Sequence, residues 1–147
     1  MMRLLFLIFA FPLFCHADYQ FAGRHFLASY LDCDAEAIAD ISALKEAMTQ
    51  AVLTSGATLL NQSEFVFEPD GLTMVFLLSE SHASIHTYPE HRACFVDLFT
   101  CGGHCDAQRF HAVLSAYLHP ESINIKLLAR NEEIAELPLD GYDTPHL

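Results

Sequence analysis

Strand-length apolar runs joined by hairpin-length turns restrict the fold of this chain more than any other feature. His25-Phe26-Leu27-Ala28-Ser29-Tyr30, within Arg24 to Tyr30, reads as one strand, ended by the polar Asp32-Cys33-Asp34. Thr58 to Phe67 alternates loosely, and Pro69-Asp70-Gly71 turns the chain into Thr73-Met74-Val75-Phe76-Leu77-Leu78. This last run is nearly continuous, which predicts a strand buried on both faces. A turn-like stretch surrounds Pro89, Ala93 to Phe99 is again strand-like before Gly102-Gly103, and Ile123, Ile125 and Leu127 alternate as a closing strand. Two helices interrupt the series. Asp34 caps one running to about Leu53, with Ile38, Ile41, Leu44, Met48 and Val52 on one face, and Ser55-Gly56 stops it. Asp106 caps the other, whose apolar face is Phe110, Val113, Leu114, Tyr117 and Leu118 before Pro120. Hairpin-length connections outnumber crossovers, so the expected class is α+β. The architecture expected is a two-layer α/β sandwich with a mainly antiparallel sheet and helices on one face.

The chain has 147 residues, a length suited to one domain, and at 52% hydrophobic it can build a core. Seven Lys and Arg against 19 Asp and Glu leave a formal charge of -12. That balance argues against nucleic acid and against anionic membrane surfaces, which both bind through Lys and Arg. Five scattered cysteines (Cys15, Cys33, Cys94, Cys101 and Cys105) do not make a disulfide framework, and an odd count fits a reducing compartment. The N-terminus pulls the other way. Met1-Met2-Arg3, the apolar Leu4 to Phe14 and Cys15-His16-Ala17 have the layout of a secretory signal over residues 1–17, leaving a single domain over 18–147. The run is shorter than the roughly 20 residues that span a bilayer, so no membrane association is expected of the mature form. A cytoplasmic location is expected, with export as the alternative if residues 1–17 act as a signal.

Chemistry-bearing side chains concentrate between Ser79 and Cys105. Imidazole and thiol are the groups best suited to proton transfer near neutral pH. By composition alone the stretch is equally a polar loop between strands. A zinc-binding module is a further alternative, since His82, His86, Cys101, His104 and Cys105 are the ligand types zinc prefers.

Glu80-Ser81-His82-Ala83-Ser84-Ile85-His86-Thr87-Tyr88-Pro89-Glu90, followed by Phe99-Thr100-Cys101-Gly102, resembles the processing motif of the prokaryotic S-adenosylmethionine decarboxylases. Gly23-Arg24-His25 and Phe67-Glu68-Pro69 with Gly71 add to the resemblance, which covers roughly Gly23 to Arg130. It implies a proenzyme that cleaves itself between Glu80 and Ser81 into a beta chain, 1–80, and an alpha chain, 81–147. Ser81 would attack the Glu80 carbonyl, β-elimination of the resulting ester would leave a dehydroalanine, and its hydrolysis would give a covalent pyruvoyl cofactor at position 81. Position by position, His86 matches the proton acceptor for processing and Cys101 the proton donor in catalysis. Thr73 stands where the family usually has a processing serine, a departure that keeps the hydroxyl. The resemblance further implies Phe67 and Tyr88 as adenine-stacking rings and Glu90 as the ribose-binding carboxylate. The pyruvoyl would form a Schiff base with S-adenosylmethionine and release the decarboxylated aminopropyl donor for spermidine, without metal or pyridoxal phosphate. Alpha and beta chains are expected to stay associated and to build a homo-oligomer. Arginine or ornithine decarboxylation on the same scaffold is the alternative within this chemistry.

Overall fold

The computed structural model describes residues 21–101 and 103–142, so the signal-like segment 1–17 lies outside the described residues. Seven strands form one sheet: β1 (Gly23–Leu31), β2 (Leu59–Phe67), β3 (Gly71–Leu78), β4 (Ser81–Tyr88), β5 (Ala93–Cys101), β6 (Ser122–Arg130) and β7 (Ile134–Leu137). Their spatial order is β2-β3-β4-β5-β1-β6-β7, and every pairing is antiparallel. Three helices, α1 (Ala35–Ala39), α2 (Ile41–Thr54) and α3 (Ala107–Leu118), complete the α+β two-layer sandwich expected from the sequence.

The core lies between the helices and one sheet face. Alternate strand residues Phe26, Ala28 and Tyr30, then Leu72, Met74 and Phe76, then Ala83 and Ile85, then Val96 and Leu98 meet Ile38, Leu44, Met48, Phe110 and Leu114. Two details depart from the sequence reading. The first helix is broken at Asp40, whose carboxylate accepts from the Ala43 N–H at 3.0 Å and restarts the chain as α2. Gly56, with φ of 87°, ends α2 in the left-handed conformation that glycine adopts without a Cβ clash.

The second departure concerns β3, which is buried on one face only: Val75 and Leu77 are 44% and 53% exposed. An apolar run cannot by itself tell two covered faces from one covered face and one apolar face left open. The motif segment is a strand too, with Ala83, Ile85 and Thr87 turned to the helices and His82, Ser84, His86 and Tyr88 on the open face.

Capping and packing set testable stabilities. Asp106 accepts from the Gln108 and Arg109 N–H groups at the start of α3, so Asp106→Ala should cost about 1 kcal/mol. Leu114→Ala, in the fully buried face of the same helix, should cost about 2–5 kcal/mol. Urea denaturation at one fixed protein concentration measures both; the opposite ranking would contradict this description of the core.

Candidate active site

Antiparallel register determines what surrounds Ser81. Ser81 opposes Thr100 and His82 opposes Phe99 on β5, while Cys101 opposes Gly23 on β1. One further backbone hydrogen bond continues the pairing past the end of β4: the Cys101 N–H donates to the Glu80 carbonyl oxygen at 2.9 Å. The Glu80 side chain is held as well, its Oε2 accepting from the Thr58 N–H at 2.9 Å, while the Ser79 N–H donates to the Thr58 carbonyl. Ser81 itself has φ of 154°, outside the regions open to L-residues, a strain of order 1–3 kcal/mol in the residue that follows the Glu80–Ser81 bond. Its hydroxyl lies 3.1 Å from His82 Nδ1. The bond therefore has an adjacent hydroxyl, an N–H already on its carbonyl oxygen and an imidazole on the hydroxyl.

Rings pack beside this group. Phe99 lies across Gly23 so closely that a Cβ there would come within 2.5 Å of Phe99 Cε2. The Arg130 guanidinium covers the same ring at 4.6 Å, with His25 and His82 on its flanks at 5.4 and 5.7 Å. His25 Nε2 is 3.4 Å from Asp97, whose other oxygen accepts from the Ser84 hydroxyl. Burial holds the His25 pKa below its usual value, with the Asp97 carboxylate opposing that shift. Burial, together with the nearby Glu80 carboxylate, pushes the Cys105 thiol up; Thr100 opposes this by hydrogen bonding it.

A second group gathers farther along β4. Thr73 opposes His86, and its hydroxyl makes a short hydrogen bond to His86 Nδ1. Phe67 and Tyr88 both touch the His86 ring, at 5.9 and 4.7 Å between centroids, and Tyr88 meets Phe95 at 5.4 Å. Glu90 follows, exposed, in the 3-10 turn Pro89–His91. The fold thus brings Ser81, Glu80 and Cys101 together, and separately His86, Thr73, Phe67 and Tyr88. Five residues of extended strand put about 17 Å between Ser81 and His86 within one chain.

That spacing also disperses the zinc ligands, and among the described residues no group of three or more His, Cys, Asp or Glu side chains could hold a metal. A cavity of about 600 Å³ near the start of α3, lined by Arg24, Gly56, His104, Cys105, Asp106 and Tyr142, includes none of Ser81, His86 or Cys101. The sequence reading missed the immediate partners: His82 on the Ser81 hydroxyl and the Cys101 N–H on the Glu80 carbonyl. Period-two alternation from His82 to Tyr88 was the available signal for a strand.

Known proteins resemble this chain. A proenzyme of Fervidobacterium nodosum, called S-adenosylmethionine decarboxylase, is 48% identical over 84 residues, which are 57% of this chain and 61% of the relative. The chain thus spans less than two thirds of that relative's length. A protein of the same description from Thermosipho melanesiensis is 38% identical over 103 residues, 70% of this chain and 79% of the relative. The crystal structure of the adenosylmethionine decarboxylase from Aquifex aeolicus superposes with a TM-score of 0.66 at 35% identity, covering 71% of this chain and 87% of that one. The sequence model for S-adenosylmethionine decarboxylase matches residues 24–131, which take in both groups of site residues, and the chain belongs to that family.

Proposed function

We infer that the chain is a proenzyme that cleaves itself between Glu80 and Ser81 and then decarboxylates S-adenosylmethionine, supplying the aminopropyl donor for spermidine. The observation that carries the reading is the Glu80–Ser81 bond itself: its carbonyl oxygen is already held by an N–H donor, and its Ser81 hydroxyl is adjacent. Preorganised donors of this kind lower the cost of an oxyanion as it develops. Acyl transfer from nitrogen to the Ser81 oxygen would give an ester, removal of the Ser81 α-proton would release Glu80 as a new C-terminus, and the dehydroalanine left at position 81 would take up water and lose ammonia to become the pyruvoyl group. The strained backbone at Ser81 favours leaving the amide. The pyruvoyl group produced at position 81 supplies a carbonyl that condenses with the substrate α-amine and draws off the electrons freed as CO2 departs. Cys101, whose N–H already meets the Glu80 carbonyl, is assigned to return a proton to the α-carbon. Phe67, Tyr88 and Glu90 are assigned to the nucleoside, for which an exposed ring, a half-buried one and a carboxylate acceptor are suitable partners.

His86 is the assigned acceptor of the Ser81 α-proton, yet it stands too far along β4 to serve its own chain. A second copy resolves the conflict. Two open faces packed about a two-fold axis that runs between them and across the strands would set the His86 end of one against the Ser81 end of the other. Exposed Phe65, Phe67, Val75, Leu77 and Phe95 give that face the apolar surface such packing buries. His86 and Thr73 would then work in trans, and the homo-oligomer would be part of the active site.

The two fragments are expected to stay together, because β1 of the first lies between β5 and β6 of the second. No helix among the described residues is long and apolar enough to cross a membrane. A cytoplasmic setting is proposed, supported by the free thiols of Cys33, Cys94, Cys101 and Cys105.

Intact mass of the purified chain should show fragments 1–80 and 81–147, the second with a pyruvoyl mass in place of serine, and Ser81→Ala should show neither. Cleavage of the Ser81→Ala chain would sink the mechanism. Cys101→Ala should still cleave but release CO2 from S-adenosylmethionine about 10²–10⁴-fold more slowly. Arginine and ornithine should release none from the unaltered enzyme. Neither Ser81→Ala nor His86→Ala should cleave when produced alone. Co-produced, the His86→Ala chain should be cut by a Ser81→Ala partner, and its persistence intact in such mixed assemblies would rule out action in trans.

A further inference from the structure

His82 sits inside the cleavage motif and has no task in the reaction drawn above. Its Nδ1 is 3.1 Å from the Ser81 hydroxyl oxygen, hydrogen-bond distance for O–H donating to nitrogen, and the two residues are neighbours in one chain. The ring is held by more than that bond. Phe99 packs against it at 5.7 Å and is itself fixed by the Arg130 guanidinium above and by Gly23 beneath. His25 meets the His82 ring edge-on at 6.5 Å, and Leu77 opposes it on β3. On the far side of the scissile bond, the Cys101 N–H is already on the Glu80 carbonyl oxygen. A hydroxyl with a base on its proton, next to a carbonyl with a donor on its oxygen, is the arrangement that nucleophilic acyl transfer requires.

We propose that His82 is the acid–base catalyst of the N-to-O acyl shift, acting on Ser81 of its own chain; the proposal rests on the self-cleavage reading. As the Ser81 oxygen bonds to the Glu80 carbonyl carbon, its O–H proton passes to His82 Nδ1, and the carbonyl π pair moves onto the oxygen bound by the Cys101 N–H. When that oxyanion collapses, the Glu80–Ser81 C–N bond breaks and the departing nitrogen takes the proton back from His82. The products are an ester at the Ser81 oxygen and a free Ser81 amine, so the imidazole ends as it began and no other reagent is consumed. His86 then has the later step alone, removal of the α-proton.

The two steps separate experimentally. In His86→Ala the chain should stop at the ester, and added hydroxylamine should cut it into fragments 1–80 and 81–147 at a rate that reports the shift. In His86→Ala/His82→Ala that rate should fall about 10²-fold or more. Because His82 is exposed, imidazole added to the buffer can occupy the space left and should restore much of the rate. His82→Asn, which keeps a polar side chain without a base, should stay slow. In the otherwise unaltered chain, His82→Ala should slow self-cleavage and imidazole should again restore it, whatever the behaviour of His86→Ala. Equal rates with and without His82, or a loss that imidazole leaves unchanged, would overturn the proposal. If the unaltered chain fails to cleave, the self-cleavage reading fails instead.

Discussion

Pairing of β4 with β5 is the constraint on which the rest of the site depends. It places Ser81 opposite Thr100, and one hydrogen bond later the Cys101 N–H meets the Glu80 carbonyl. A slip of one residue would turn His82, Ser84, His86 and Tyr88 into the helix layer and their apolar neighbours out to the open face. Burial prevents the slip: Ala83, Ile85 and Thr87 are packed under the helices, and the Thr87 hydroxyl accepts the Leu72 N–H at 2.8 Å. The chemistry of the open face is thus registered by hydrophobic contacts on the opposite one.

Strand order explains how such a chain could be cut without coming apart. Residues 21–80 contribute β1, β2 and β3, and the remainder contributes β4 to β7. The order β2-β3-β4-β5-β1-β6-β7 places fragment boundaries at β3–β4, β5–β1 and β1–β6, so three ladders of backbone hydrogen bonds run across the cut. Phe26 and Tyr30 on β1 sit in the same core as Phe110 and Leu114 on α3. Separating the fragments would expose that core, so its burial opposes their dissociation after the cut.

Polar and apolar groups on the open face are arranged along the strands rather than segregated. His82, Phe99 and Cys101 lie at one end, where Ser81 begins β4, and Thr73, His86, Tyr88 and Phe95 at the other, with exposed Val75 beside Ser84 and Asp97 between. A face of this kind is unfavourable in water. Covering it with a second copy would at once remove apolar surface from water and bring the two chemical groups together, so that stability and activity would share one interface.

Much of this was legible in the chain itself. Period-two and period-3.6 patterns yielded the strands from Arg24 to Tyr30 and from Ala93 to Phe99, the α3 face and its Asp106 cap, because each is set by neighbours in sequence. The motif from Glu80 to Glu90 and Phe99 to Gly102 was enough to indicate the family. The sequence alone missed the short edge strand β7 and the break at Asp40, and it could not tell that the apolar run of β3 has one open face, since hydrophobicity records a preference for burial and not what does the burying. Only the tertiary structure decided that the motif is a strand whose two ends carry different chemistry, and that His82 and the Cys101 N–H are the groups at Ser81. The physical reason is that antiparallel pairing sets neighbours across strands by register, so residues twenty positions apart meet while Ser81 and His86, five apart, do not.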